Sequence, residues 1–164
     1  MRKPFELLKN RKALVGVEVG VSEGRNAFDI LKGLDIKTLY LVDIWGEYHE
    51  EESTLNSIEL EKASRDNLKE FKDKIVFIKK TSVGASGDFE DNSLDFVYID
   101  ANHQYEFVKE DIEAWWPKVK INGMLAGDDL NRVGVNQAVR ERFGTHYPKA
   151  PFEGKESNWY EYKM

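Results

Sequence analysis

The sequence contains no cysteine and no long hydrophobic run. Without cysteine the chain can form no disulfide, no thiolate metal site and no cysteine nucleophile, and this composition fits the cytosol. No segment approaches the ~18 consecutive apolar residues of a membrane span. The basic N-terminus MRKPFELLKN also lacks the apolar core of a signal peptide. We therefore expect a cytoplasmic protein without a leader and without a membrane partner.

Basic residues are fewer than acidic ones. The 24 Lys and Arg residues are outnumbered by 30 Asp and Glu residues, which gives a formal net charge of -6. This balance argues against a general affinity for nucleic acid or for an anionic membrane surface. The 164 residues contain no internal repeat, low-complexity tract or linker, so the sequence predicts one domain over residues 1–164.

Five short apolar runs predict β-strands, because each is too short for a typical helix and is rich in β-branched or aromatic residues. They lie at residues 13–19, 38–44, 74–80, 93–100 and 123–129. Between and after them, apolar residues recur with a helical period. These residues are Ala27, Ile30, Leu31 and Leu34; Leu60, Ala63, Leu68 and Phe71; Val108, Ile112, Trp115 and Val119; and Val135, Ala138, Val139 and Phe143.

This alternation predicts an α/β fold with one doubly wound, mostly parallel sheet. The segment NWYEYKM predicts a final antiparallel strand, paired near THYPKAPF. Such a sheet binds its ligand beyond the carboxyl ends of its strands. The acidic residues at the predicted strand ends, which we expect to meet at one edge, are Glu18, Asp43, Asp100, Asp128 and Asp129.

The end of the first strand has the spacing Glu18-x-Gly20-x-Ser22-x-Gly24. Glycines there permit a tight turn and a close approach of the backbone to a ligand, although an ordinary structural turn has the same pattern. The G-x-G-x-x-G fingerprint of dinucleotide oxidoreductases is absent. Asp43 follows 25 residues after Glu18 and ends the second strand, where an acid can accept hydrogen bonds from both hydroxyls of a ribose or simply cap a helix.

Asp100 and His103 follow the fourth strand, and Asp128 and Asp129 end the fifth. Three carboxylates at neighbouring strand ends repel one another unless they are protonated or bridged by a cation, and Mg²⁺ prefers such oxygen ligands. His103 would lie at the same edge, where an imidazole can take a proton near neutral pH. The alternatives are helix N-caps for the acids and a structural hydrogen bond for the histidine.

Three stretches together resemble the class I S-adenosylmethionine-dependent methyltransferases: VEVGVSEGR, LYLVDIW and LDFVYIDANHQYEFVKEDIEAWWPKVKINGMLAGDDL. The chain is most similar to their metal-dependent small-molecule O-methyltransferase branch, which includes macrocin- and mycinamicin-type sugar methyltransferases and cephalosporin-hydroxylase-like proteins. The resemblance covers roughly residues 14–131. It implies a Rossmann-like fold and S-adenosylmethionine as cofactor.

The resemblance also implies roles for individual residues. The family's first loop reads Glu-x-Gly-x-Gly-x-Gly, and here Ser22 replaces the middle glycine. The implied cofactor contacts are Glu18, Gly20, Ser22, Gly24, Asp43, Ile44, Ser82 and Asp100, with Ser82 near the adenine. The metal-dependent branch implies that Asp100, Asp128 and Asp129 hold Mg²⁺, and that His103 acts as the catalytic base beside Asp100.

The resulting hypothesis is a divalent-metal-assisted O-methylation of a small sugar-like or polyketide-like hydroxyl compound. Metal ligation of the acceptor oxygen would lower its pKa, and His103 would remove the proton. Two alternatives stay open: a metal-dependent hydroxylase or hydrolase on the same scaffold, and a non-catalytic cofactor-binding protein. A homo-oligomer is compatible with the sequence.

Overall fold

The apolar runs form one six-stranded sheet in the part of the chain that this computed structural model describes, residues 1–46, 57–148, 150 and 157–164. The strands are β1 Leu14–Val19, β2 Ile36–Asp43, β3 Ile75–Lys79, β4 Leu94–Ile99, β5 Val119–Gly127 and β6 Trp159–Tyr162. Their order in the sheet is β3-β2-β1-β4-β5-β6. The first five strands are parallel and β6 runs antiparallel to β5, so the predicted fold class is confirmed.

Helices cover both faces of this sheet. They are α1 Lys3–Glu6, α2 Arg25–Gly33, α3 Ser57–Asn67, α4 Ser82–Ser86, α5 Tyr105–Trp115 and α6 Val133–Phe143. The buried residues of α1 and α2 pack on one face, while α4, α5 and α6 pack on the other. Burial of strands on both faces explains why their sequences are almost continuously apolar. Among the described residues, no helix is both long enough and apolar enough to cross a membrane.

Two details of the predicted sheet differ from the structure. Val119, which the helical pattern placed at the end of a helix, begins β5, because α5 ends at Trp115 and a 3-10 turn at Trp116–Lys118 follows. β6 pairs with β5, with Gly127 opposite Trp159, rather than with residues near 145–152. Of that stretch, residues 149, 151 and 152 lie outside the described residues. Pairing with β6 covers the backbone of an otherwise open edge strand.

The strand register brings the predicted polar residues to one edge. Val19 lies between Val42 and Ile99 in the parallel pairing, and Ile99 lies opposite Gly127. The residues that follow these positions therefore leave the sheet side by side: Gly20, Asp43, Asp100 and Asp128. This carboxyl edge is where an open α/β sheet binds its ligand.

Candidate functional site

The loop after β1 turns in a left-handed backbone conformation at three of its positions. Gly20, Ser22 and Gly24 have φ angles of 85°, 50° and 81°. A Cβ atom at Gly20 would lie 2.0 Å from the carbonyl oxygen of Asp100, so only glycine allows the two loops to pass this closely. Ser22 adopts the conformation that a glycine would adopt without strain, so the turn persists with serine in the middle position.

Asp43 holds this glycine loop against the end of β2. Its Oδ2 accepts hydrogen bonds from the backbone N–H groups of Val21 at 2.8 Å and Ser22 at 2.9 Å. Its Oδ1 accepts from the backbone N–H of Trp45 at 2.8 Å, and the Trp45 indole donates to the carbonyl of Ser22. The carboxylate is buried and engaged with three donors, so in this structure Asp43 anchors the loop. The ribose contact stays a prediction.

Glu18 points an unsatisfied oxygen into the same edge. Its side chain is fully buried, and Oε1 accepts a hydrogen bond from Asn26 Nδ2 at 2.8 Å. Oε2 is buried without a hydrogen-bond partner among the described residues. Burial raises the pKa of Glu18 to about 8; Asn26 and Arg2 oppose the rise, and the charges of Asp100 and Asp43 add to it. Buried polar atoms are rarely left unpaired, so a polar group of a ligand fits this position.

His103 and Asp129 form a pair on the neighbouring strand ends. His103 Nε2 lies 2.9 Å from Asp129 Oδ2, and Arg132 Nε lies 3.3 Å from Asp129 Oδ1. The hydrogen bond to His103, with the positive charge of Arg132, holds the pKa of Asp129 below its ordinary value. A Cβ atom at Gly134 would lie 2.5 Å from the His103 carbonyl, so the start of α6 fixes the His103 backbone. The pair can orient an imidazole for proton transfer.

Arg2 lies among the acidic residues, a position that no sequence pattern predicts. Its Nη1 is 2.7 Å from Asp100 Oδ2 and 2.9 Å from Asp128 Oδ2, and it donates to the Tyr98 hydroxyl at 2.6 Å. Burial raises the pKa of Asp100 against the opposing effect of Arg2, and the charges of Asp128 and Asp129 raise it further. At least 96 residues separate Arg2 from each of these partners, so no local sequence signal could reveal the contact.

The three carboxylates predicted to hold Mg²⁺ do not converge on one point in this arrangement. Asp128 pairs with Arg2 through Oδ2, and its Oδ1 accepts from the Asp129 backbone N–H and the Ser157 hydroxyl. The described residues that present possible ligand atoms within 4.8 Å of one another are Asp100, His103 and Asp129. Mg²⁺ prefers an all-oxygen set, and imidazole suits transition metals better. The residues as arranged therefore do not fit the predicted Mg²⁺ site.

Ser82, predicted to lie near an adenine, faces the interior of the protein instead of an open edge. Its Oγ accepts from the Trp115 indole at 2.9 Å and is hydrogen-bonded to Asp111. Burial raises the pKa of Asp111 to about 6, and the Ser82 hydrogen bond opposes the rise. An adenine contact at Ser82 stays a prediction. Ile44 is half-buried after Asp43, and residues 47–56 beyond it lie outside the described residues.

A family model described as a methyltransferase domain matches residues 17–130. This range contains the glycine loop, Asp43, and the polar residues that follow β4 and β5 up to Leu130. No curated protein sequence matches the chain significantly.

Several solved structures share the fold. Precorrin 8w decarboxylase from Methanobacterium thermoautotrophicum has a TM-score of 0.64 at 14% identity, over 85% of this chain and 68% of that one. A ribosomal protein L11 methylase from Lactobacillus delbrueckii subsp. bulgaricus gives 0.64 at 20%, over 98% and 75%. An S-adenosylmethionine-dependent O-methyltransferase from Thermotoga maritima gives 0.60 at 14%, over 84% of this chain and only 47% of that one. At these identities the likeness shows the fold alone.

Proposed function

Because the family model matches more than half of its length, the chain belongs to the methyltransferase domain family, and we propose that it transfers a methyl group from S-adenosylmethionine to a hydroxyl oxygen of a small molecule. The observation that carries the proposal is the His103–Asp129 pair, which lies at the same sheet edge as the glycine loop. The acceptor class that we propose is sugar-like or polyketide-like, from the resemblance of His103 to the histidine of sugar-modifying relatives.

The loop after β1, with Glu18 beside it, supports the proposed cofactor. The buried Glu18 Oε2 has no hydrogen-bond partner among the described residues, and a hydroxyl group of a ligand, which can donate or accept, would satisfy it. Asp43 fixes the loop of Gly20 and Ser22 beside it through backbone hydrogen bonds, so the contact surface is formed before a ligand arrives. When bound, S-adenosylmethionine supplies an electrophilic methyl group.

The pair of His103 and Asp129 supports the proposed removal of the acceptor's hydroxyl proton. Methyl transfer to oxygen requires that the hydroxyl lose its proton and that its oxygen be aligned with the methyl group. The lowered pKa of Asp129 favours its carboxylate form, and its Oδ2 lies 2.9 Å from His103 Nε2. This contact can orient the imidazole, so we assign removal of the acceptor proton to His103. No step of the proposed reaction uses a divalent cation.

A transfer assay with radiolabelled S-adenosylmethionine and a panel of hydroxylated sugars and polyketides tests this proposal. The wild-type protein is expected to label an acceptor, and His103→Ala is expected to lower kcat about 100-fold or more, as loss of a general base does. Affinity for S-adenosylhomocysteine should stay unchanged in that variant, because His103 acts on the acceptor.

His146→Ala is the matched control, because it also removes an imidazole. His146 is largely exposed and pairs with Glu161 on β6, so its loss should leave kcat near the wild-type value. Two results would contradict the proposal: equal kcat for His103→Ala and the wild type, or a cofactor-binding protein that labels no hydroxyl compound. A melting temperature that falls by tens of degrees in His103→Ala would instead identify a structural histidine.

A further inference from the structure

We propose that Arg2 is the resident cation of this site, and that it weakens the binding of a divalent metal ion by pairing with both Asp100 and Asp128. This inference deepens the proposed function, on which it rests only for identifying this edge as the acceptor side. The claim about cation binding depends on the arrangement of charges alone.

A single nitrogen of Arg2 lies at the centre of the acidic oxygens. Nη1 is 2.7 Å from Asp100 Oδ2 and 2.9 Å from Asp128 Oδ2. It also donates a hydrogen bond to the Tyr98 hydroxyl at 2.6 Å. A metal ion shared by these two carboxylates would have to occupy the space of this nitrogen. The guanidinium therefore reduces the repulsion between two neighbouring carboxylates, which a bound metal ion would otherwise reduce.

Packing keeps Arg2 in this position. Phe5, three residues along the chain, is fully buried, with its ring 4.8 Å from the Tyr98 ring and 6.0 Å from the Phe96 ring. The backbone N–H of Phe5 donates to the Arg2 carbonyl, and the Arg2 guanidinium also lies over the Tyr98 ring. Arg2 is only partly buried, but the buried rings of Phe5 and Tyr98 hold it beside the two carboxylates.

The third carboxylate has its own partners. Asp129 contacts His103 and Arg132, so it does not share the charge of Arg2. Together, two arginines and a histidine face three carboxylates at this edge. An added divalent cation would have to displace Arg2 from Asp100 and Asp128 before it gained their oxygens, and this competition weakens its binding.

Mn²⁺ binding, followed by the loss of the free-ion signal in electron paramagnetic resonance, tests the inference without cofactor or acceptor. The wild type is expected to bind Mn²⁺ only in the millimolar range, because an ion held by Asp100, His103 and Asp129 would also lie beside the positive charge of Arg2. Arg2→Gln should bind at least about tenfold more tightly, because a competing charge a few ångströms from the carboxylates is lost. Adding Asp128→Asn to Arg2→Gln should reverse the gain, since Asp128 would then be a ligand.

Arg25→Gln is the matched control for net charge. Arg25 is exposed and contacts Glu23 on the surface, so its loss should leave Mn²⁺ binding at the wild-type level. Micromolar binding by the wild type, or an Arg2→Gln affinity no higher than that of Arg25→Gln, would overturn the inference. If Arg2→Gln does not fold, Arg2→Lys retains the charge and should bind Mn²⁺ as weakly as the wild type; micromolar binding by that variant would equally overturn it.

The two proposals fail separately. A protein that methylates no hydroxyl compound but gains Mn²⁺ affinity on loss of Arg2 would contradict the proposed reaction and support the role of Arg2. A wild-type protein that methylates a hydroxyl compound and also binds Mn²⁺ tightly would support the proposed reaction and contradict the role of Arg2.

Discussion

Glu18 is a carboxylic acid at a position where its ionised form is costly. It is buried beside Asp43 and Asp100, and one of its oxygens has no partner among the described residues. Asn26 and Arg2 supply the opposing stabilisation of the charged form, but burial dominates, and the pKa rises from 4.5 to about 8. The protein therefore folds most favourably with Glu18 neutral, and this group contributes to the pH dependence of its stability.

We predict that Glu18→Gln gains stability over the wild type as the pH rises. Below about pH 4.5 the carboxyl is neutral in both the folded and the unfolded state, so it carries no penalty. Between 4.5 and about 8 the unfolded chain ionises first, and the wild type loses stability, by about 1.4 kcal/mol for each unit of pKa difference. Glutamine does not ionise, so the variant does not lose this stability.

Thermal melts at pH 5 and pH 9 check this prediction. The melting temperature of Glu18→Gln relative to the wild type should be higher at pH 9 than at pH 5 by several degrees, at roughly 2–4 °C for each kcal/mol in a chain of this size. Glu90→Gln, an exposed control, should show the same small difference at both pH values. An equal effect of Glu18→Gln at both pH values would show that Glu18 is ionised in the folded protein.

At the scale of elements, the loop after β1 and the loop after β4 depend on each other. Gly20 passes within van der Waals contact of the Asp100 backbone, and the Asp100 N–H donates to the Val19 carbonyl. The loop that we propose for the cofactor and the loop that we propose for the acceptor are thus joined at one crossing of backbone. A side chain added at Gly20 would therefore also press on the backbone of the loop after β4.

We predict that Gly20→Ala damages both stability and cofactor binding. The methyl group would lie 2.0 Å from the Asp100 oxygen, at a φ of 85° that alanine rarely adopts. Strain and displacement together should lower the free energy of unfolding by about 2 kcal/mol or more. Urea denaturation measures the loss, and titration with S-adenosylhomocysteine measures the weakened binding.

Gly87→Ala is the control for this substitution. Gly87 has an ordinary φ of -65°, and a Cβ there would meet its nearest atom, the Gly84 oxygen, at 3.6 Å. Its effect on unfolding should stay within about 0.5 kcal/mol. A Gly20→Ala protein as stable as Gly87→Ala would mean that the two loops are not in contact in solution.

At the scale of the whole molecule, the hydrophobic pattern was sufficient to predict most of the sheet, but it predicted few of the contacts in the site. β1 to β4 lie where their apolar runs predict them, because strands buried on both faces leave a strong signal. β5 begins earlier than predicted. The Asn122-Gly123 pair reads as a turn, and Asn122 does have a φ of 64°, but the strand continues through it.

The site was predictable as a set of strand ends but not as a set of contacts. The register brings Asp100, Asp128 and Asp129 to one edge, yet the two adjacent aspartates contact different partners, Arg2 and His103. Asp129 has a left-handed backbone, with a φ of 56°, which a sequence pattern does not reveal. The position of Arg2 depends on the packing of Phe5 against β4, a contact between distant parts of the chain.

The central claim is that this sheet edge binds S-adenosylmethionine without the help of a metal ion. The most direct test is a calorimetric titration of the wild-type protein with S-adenosylhomocysteine, once with Mg²⁺ and once with EDTA. We predict micromolar binding of one molecule per chain, with the same affinity in both titrations. No binding in either titration would contradict the assignment of the cofactor, and binding only in the presence of Mg²⁺ would contradict the assignment of Arg2 as the resident cation.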